Sequence, residues 1–175
     1  MEWAEGIEFI RPYIVKISTP RGSGTGFLIS RTTAVNLSAI ATAAHVVDNA
    51  HYWDEPIRLY HLASNEQVVL KSGDRAIFLE ERFDTAAVVF DSSKLKLPDQ
   101  PLPLTPEQKY LKPGYEIGWL GFPAIASSTL SFFSGRVSAW LSARNSYLVD
   151  GVAINGVRVQ RSTYSKVRPS RSPAL

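Results

Sequence analysis

Thr42-Ala43-Ala44-His45-Val46-Val47 is the stretch whose reading decides the fold. Ile40-Ala41 leads into it, so a short β-prone run over 40–43 delivers a histidine at its end, with a threonine and two small residues directly before the imidazole. A histidine among alanines and valines is, taken alone, a packed core residue. What this one does depends on what the chain sets around it.

Upstream, Gly22-Ser23-Gly24-Thr25-Gly26-Phe27-Leu28-Ile29-Ser30 runs closely spaced glycines into an apolar strand, and the glycines read as a tight, close-packed turn feeding that strand. A phosphate cradle is set aside, because the dinucleotide fingerprint needs a third glycine three residues after the second and a helix next. Here a strand follows. Trp3, Ile7 and Ile10 recur at helical spacing, and Pro12 should end that helix by disfavouring helical geometry at Arg11. Residues 13–18 read as a β-branched strand and Thr19-Pro20-Arg21-Gly22 as a turn.

Downstream, residues 57–60 and 67–70 are short strands parted by polar turns, the spacing of an antiparallel barrel. Residues 85–90 form another apolar strand, which puts Asp84 at its mouth. From 92 to 113 the chain turns dense in proline and poor in periodicity, as a semi-extended linker does. Strand patterns resume at 114–123, 130–137 and 147–149. The chain thus divides into an N-terminal helical segment (1–12), a first barrel (13–91), the linker (92–113), a partial second barrel (114–156) and a basic tail (157–175) that reads as disordered.

Composition narrows the classes. The 175 residues are 45% hydrophobic, enough for a core. No window of ~18 apolar residues spans a bilayer, and the N-terminus lacks the pattern of a secretory signal, so a cytoplasmic protein without membrane contact is expected. Cysteine is absent, which excludes disulfides and thiolate chemistry. The net charge of +3 is concentrated in the tail: residues 1–156 carry −2, and the last 19 residues carry +5 with no acid. The body therefore has no basic footprint for nucleic acid, and the tail, with Tyr164 as its one aromatic, supports only weak, salt-dependent binding. His45, His51 and His61 have no partners at metal-ligand spacing, and no cofactor is implied. His51 and His61 carry no motif and are expected at the surface.

Taken in order, Gly24-Thr25-Gly26-Phe27-Leu28-Ile29, Thr42-Ala43-Ala44-His45, Phe83-Asp84-Thr85-Ala86-Ala87-Val88 and Gly121-Phe122-Pro123 resemble the trypsin-like serine peptidases, most closely their bacterial, disulfide-free HtrA-type branch. The resemblance covers about residues 13–156. It implies an all-β fold of two antiparallel barrels, here with the second incomplete, and an endopeptidase that acts on polypeptides. A serine hydroxyl is a poor nucleophile at neutral pH, so an imidazole must take its proton and later return it to the leaving amine; the resemblance gives that role to His45. It makes Asp84 the carboxylate that orients the imidazole and stabilises the imidazolium.

The third partner is missing. Asp150-Gly151-Val152-Ala153-Ile154-Asn155-Gly156-Val157 is similar to the family's approach to its nucleophile, but Arg158 stands where the serine is expected, and no Gly-x-Ser-Gly follows. Ser162 and Ser165 lack the flanking glycines that would aim backbone N–H groups at an oxyanion. In the family the pocket floor lies several residues before the nucleophile, which the resemblance puts near Val152, a faint pointer to apolar substrates. Two readings of the ending stand open. The tail is a reading-frame product, since codons for residues 157–162 can, one base out of frame, encode Ser-Gly-Cys-Ser-Gly-Pro. Alternatively the chain is a pseudopeptidase that binds peptides without cleaving them. Either way, the resemblance implies a chain inactive as written.

Overall fold

The computed structural model describes residues 2–32, 34–104, 110–144 and 146–151. Within them the strands are antiparallel and fall into two sheets. β1 (Ile14–Thr19), β2 (Gly22–Thr32), β3 (Leu37–Thr42), β4 (Ile57–His61), β5 (Glu66–Leu70), β6 (Arg75–Glu80) and β7 (Thr85–Asp91) form a seven-stranded half-barrel in the order β5-β4-β1-β2-β3-β7-β6. β8 (Glu116–Gly121), β9 (Ser131–Leu141) and β10 (Ser146–Gly151) form a small open sheet in the order β10-β9-β8. The two short helices are α1 (Trp3–Ile10) and α2 (Ala44–Tyr52). The all-β expectation holds, with the second unit the smaller.

Side-chain alternation explains the curl of the large sheet. Val15 and Ile17 of β1, Leu28 of β2, Ile40 of β3, Ile57 and Leu59 of β4, Leu70 of β5 and Val88 of β7 all point to one interior and are fully buried. Each such side chain contributes about 1.5–3 kcal/mol relative to exposure. Ala44, Val47 and Ala50 of α2 join the same cluster, so the helix that begins beside His45 is part of the core and not a loop laid over it.

Several expectations are corrected. The glycines of 22–26 do not make a turn; they lie inside β2, paired with β1 from Thr19↔Gly22 to Val15↔Gly26. Their smallness serves close approach. A Cβ on Gly24 would stand 2.5 Å from Val46 Cγ2, and one on Gly26 would stand 2.5 Å from Ile40 Cγ2 and 2.8 Å from Ile17 Cδ1. The helix at the N-terminus does stop at Ile10, yet Arg11 keeps right-handed helical angles (φ −47°, ψ −42°), because the chain tightens into a 3₁₀ turn over Arg11–Tyr13 with Pro12 inside it. There the missing proline N–H is not needed.

His61 is the further correction: it is buried, at 3% exposure, not at the surface. Its Nε2 lies 2.7 Å from the Pro12 carbonyl and its Nδ1 2.8 Å from Ser64 Oγ. A carbonyl only accepts, so Nε2 carries the hydrogen and Nδ1 receives the serine proton, and burial leaves no polar atom of the ring unpaired. In the connection from the first sheet to the second, within residues 92–104 and 110–113, Leu95, Leu97, Leu102 and Leu111 are buried. The Arg31 guanidinium anchors that segment by donating to the carbonyls of Leu97 and, at 3.2 Å, Pro98.

Candidate functional site

His45 sits in the first turn of α2, immediately after β3, and Asp84 sits between a short 3₁₀ turn (Glu81–Phe83) and β7. Since β3 pairs with β7 in the register Thr42↔Ala86, the two strand ends lie side by side and carry the two residues to one place. Asp84 reaches it through a left-handed backbone (φ 48°, ψ 51°). Aspartate is among the few side chains that tolerate that region.

His45 Nδ1 is 3.0 Å from Asp84 Oδ1 and 2.9 Å from Oδ2. An ionised carboxylate has no hydrogen to give, so Nδ1 bears a proton, and in the neutral form of the ring the lone pair lies at Nε2. The imidazole is 61% exposed and the carboxylate 28%, which leaves the ring open to an incoming group while its partner is screened.

Asp84 has a second task. Its Oδ1 also accepts the backbone N–H of His45 at 2.9 Å. Ala43, the residue before α2, has no side chain to cap the free N–H groups of the first turn, and Asp84 supplies an acceptor from across the sheet. A negative charge at that end is also favourable to the helix dipole. Nothing in the local pattern around residue 84 signals this; it follows from the β3–β7 pairing.

Other contacts fix the setting. Thr42 Oγ1 donates to the Thr25 carbonyl at 2.9 Å, and Thr25 Oγ1 accepts the Phe122 N–H at 2.8 Å. Arg75 donates to the carbonyls of Leu70 (2.6 Å), Ala50 (2.8 Å) and Glu55 (2.6 Å), pinning the far end of α2. Tyr52, in the last turn of α2, donates its hydroxyl to Glu81 Oε1 at 2.5 Å. That carboxylate, by hydrogen bond and by charge, raises the tyrosine pKa above its ordinary value. His51 is exposed and packs edge-on against Tyr52, away from any motif.

Of the sequence-predicted site, His45 and Asp84 are brought together. Arg158, Ser162, Ser165 and Val152 lie outside the described residues, as does the approach from 152 to 157. Among the described residues no group of three or more His, Asp or Glu side chains is placed to hold a metal ion.

Solved structures with this arrangement of sheets are known. Rv3671c protease of M. tuberculosis, in an inactive form, superposes with a TM-score of 0.60 at 18% identity over 86% of this chain and 71% of its own. The fold is that of the trypsin-like serine proteases. A serine endoprotease of Yersinia pestis gives a TM-score of 0.64 at 16% identity over 89% of this chain and 51% of its own, and the HtrA-type protease AlgW with a decapeptide gives 0.63 at 14% over 94% and 55%. The chain thus spans only about half the length of the latter two. No protein-family model and no curated protein sequence matches the chain. The backbone likeness therefore extends well beyond the likeness in sequence.

Proposed function

We propose that this chain descends from trypsin-like serine endopeptidases of the HtrA type, with His45 as general base and Asp84 as the carboxylate that orients it, and that as written it does not hydrolyse peptide bonds. The observation that carries the reading is the contact of His45 Nδ1 with both oxygens of Asp84 at 2.9–3.0 Å, which directs the free lone pair of the ring outward. That is the state a base needs before it can accept a hydroxyl proton. The inactivity rests on Arg158, which stands where the nucleophile is expected, and on the absence of any Gly-x-Ser-Gly in the chain. Polypeptide is the substrate class, a reading supported by the decapeptide bound to one of the structural neighbours.

A second reading, a non-catalytic peptide-binding module, is favoured by one feature. Asp84 caps α2 through the His45 backbone N–H, so the aspartate has a folding role that survives loss of chemistry.

The test uses an active-site serine phosphonate probe on the chain as written and on a version read in the shifted frame from residue 157. The chain as written should not label. The shifted-frame version should label, and Asp84→Asn in it should slow the reaction by about 10⁴-fold, the loss caused by the corresponding change in trypsin. Labelling of the chain as written, abolished by His45→Ala, would overturn the inactivity. A shifted frame that encodes no reactive serine, together with a soluble chain that melts cooperatively and binds peptide, would favour the binding module.

A further inference from the structure

The two sheets must hold a fixed offset if a base on one is to act on a chain bound between both, and one residue is placed to set it. Along β2, Gly24 and Gly26 face the core, Gly24 against Val46 beside His45 and Gly26 against Ile40 of β3. Strand alternation turns Thr25, between them, to the opposite side, where β2 meets β8. There two of the bonds that Thr25 makes run in two directions. Its carbonyl accepts the hydroxyl of Thr42, the last residue of β3 and three positions before His45, at 2.9 Å. Its own hydroxyl accepts the N–H of Phe122 at 2.8 Å.

Phe122 is where an acceptor is needed. It follows the last residue of β8, it is 1% exposed, and Pro123 comes next, so the chain leaves the sheet there with a buried donor that the β8–β9 ladder does not reach. An unpaired buried N–H is costly. The Thr25 hydroxyl meets that need from the other sheet, and of the bonds described it is the one that joins β2 to the end of β8.

We infer that Thr25 is a positioning residue: its side-chain oxygen locks the Phe122-Pro123 segment of the small sheet to the β2–β3 frame that carries His45. The lock itself rests on the two hydrogen bonds. Its consequence for chemistry or peptide binding rests on the reading of His45 and Asp84 proposed above.

Amide exchange measured by NMR separates the two. In the unaltered chain the Phe122 amide should be protected although it lies outside the strands. Thr25→Val keeps the shape and the carbonyl but removes the acceptor, so exchange at Phe122 should rise about tenfold, the loss of one hydrogen bond to a buried donor, with the β1–β4 amides unchanged. Thr25→Ser should restore protection. The Nδ1–H proton resonance of His45 should be present in the unaltered chain, absent in His45→Ala, and broadened in Thr25→Val but not in Thr25→Ser. Fast exchange at Phe122 in the unaltered chain, or no difference between the valine and serine variants, would overturn the lock. A missing His45 resonance beside a protected Phe122 would sink the dyad reading and leave the lock standing. Should Thr25→Val fail to fold, the unaltered chain and Thr25→Ser still decide the matter.

Discussion

Gly24→Ala tests the link between the glycine-rich strand and the histidine. The added methyl would lie 2.5 Å from Val46 Cγ2 and 3.1 Å from Cγ1, against an ordinary carbon–carbon contact of ~3.5–4.0 Å, so one of the two must move by about 1 Å. Val46 cannot swing aside easily, since a β-branched residue in a helix has one strongly preferred rotamer. The strain therefore passes to the first turn of α2, where the His45 N–H and ring hold Asp84 at 2.9–3.0 Å. Overpacking of this kind costs about 1–3 kcal/mol, and a forced shift of about 1 Å puts it in the upper part of that range, whereas the stiffer unfolded chain returns only about 0.4–1 kcal/mol, so overpacking wins. Urea unfolding should show a net loss of about 1–2 kcal/mol with an unchanged m-value. The double variant Gly24→Ala with Val46→Ala opens the space the methyl needs, so it should be more stable than the sum of the single changes by about 1 kcal/mol. Strict additivity, or a Gly24→Ala chain within about 0.3 kcal/mol of the parent, would refute the reasoning.

Arg75→Ala should lower stability by about 2–3 kcal/mol in denaturant titration, because it strands the carbonyls of Leu70, Ala50 and Glu55, and Arg75→Lys should recover only part of this since a single ammonium nitrogen cannot span carbonyls that the guanidinium reaches from two nitrogens. Tyr52 should titrate above its ordinary value near 10, followed by NMR of the labelled ring carbon, and Glu81→Gln should bring it back down. Because the folded pKa is the raised one, the stabilisation from this pair is complete below pH ~10 and is lost as the pH climbs through the folded value. A Tyr52 that titrates at its ordinary value in the parent chain would contradict the contact with Glu81.

Much of the fold is legible in the sequence because it is written in alternation. β1, β4, β5 and β7 each set β-branched, aliphatic or aromatic residues on one face, and β8 sets Ile117 and Trp119 on one of its own. β6 was hidden because Ala76 and Phe78 face outward while Ile77 and Leu79 face inward, so both faces are apolar and period two gives no contrast. α2 is hidden because the β-prone run over 40–43 leads straight into it, and only the buried trio Ala44, Val47 and Ala50, three residues apart, carries the helical period. The glycines of β2 misled because the pattern shows small residues without showing what they approach, here Val46 and Ile40. His61 gave no signal at all, since its partners come from Pro12, far back in the chain, and from a turn serine. For the candidate site, His45 and Asp84 were legible through the spacing of the motifs, whereas the capping by Asp84 and the cross-sheet bond of Thr25 depend on strand pairing and could not be read from neighbours in sequence.

The left-handed backbone at Asp84 has a consequence for how such a lineage ages. Glycine, asparagine and aspartate are the residues that fit φ near +48°, and the helix cap further favours an oxygen acceptor there, so folding alone purges most mutations at position 84. His45 is under no comparable restraint: its side chain is mostly in solvent, and its backbone N–H would be capped whatever side chain it bore. Once hydrolysis ceases to matter, neutral drift should erase the histidine long before the aspartate. On the reading proposed above, descendants of this chain should lose the histidine at position 45 first, while an aspartate at position 84 persists for as long as the fold uses its cap.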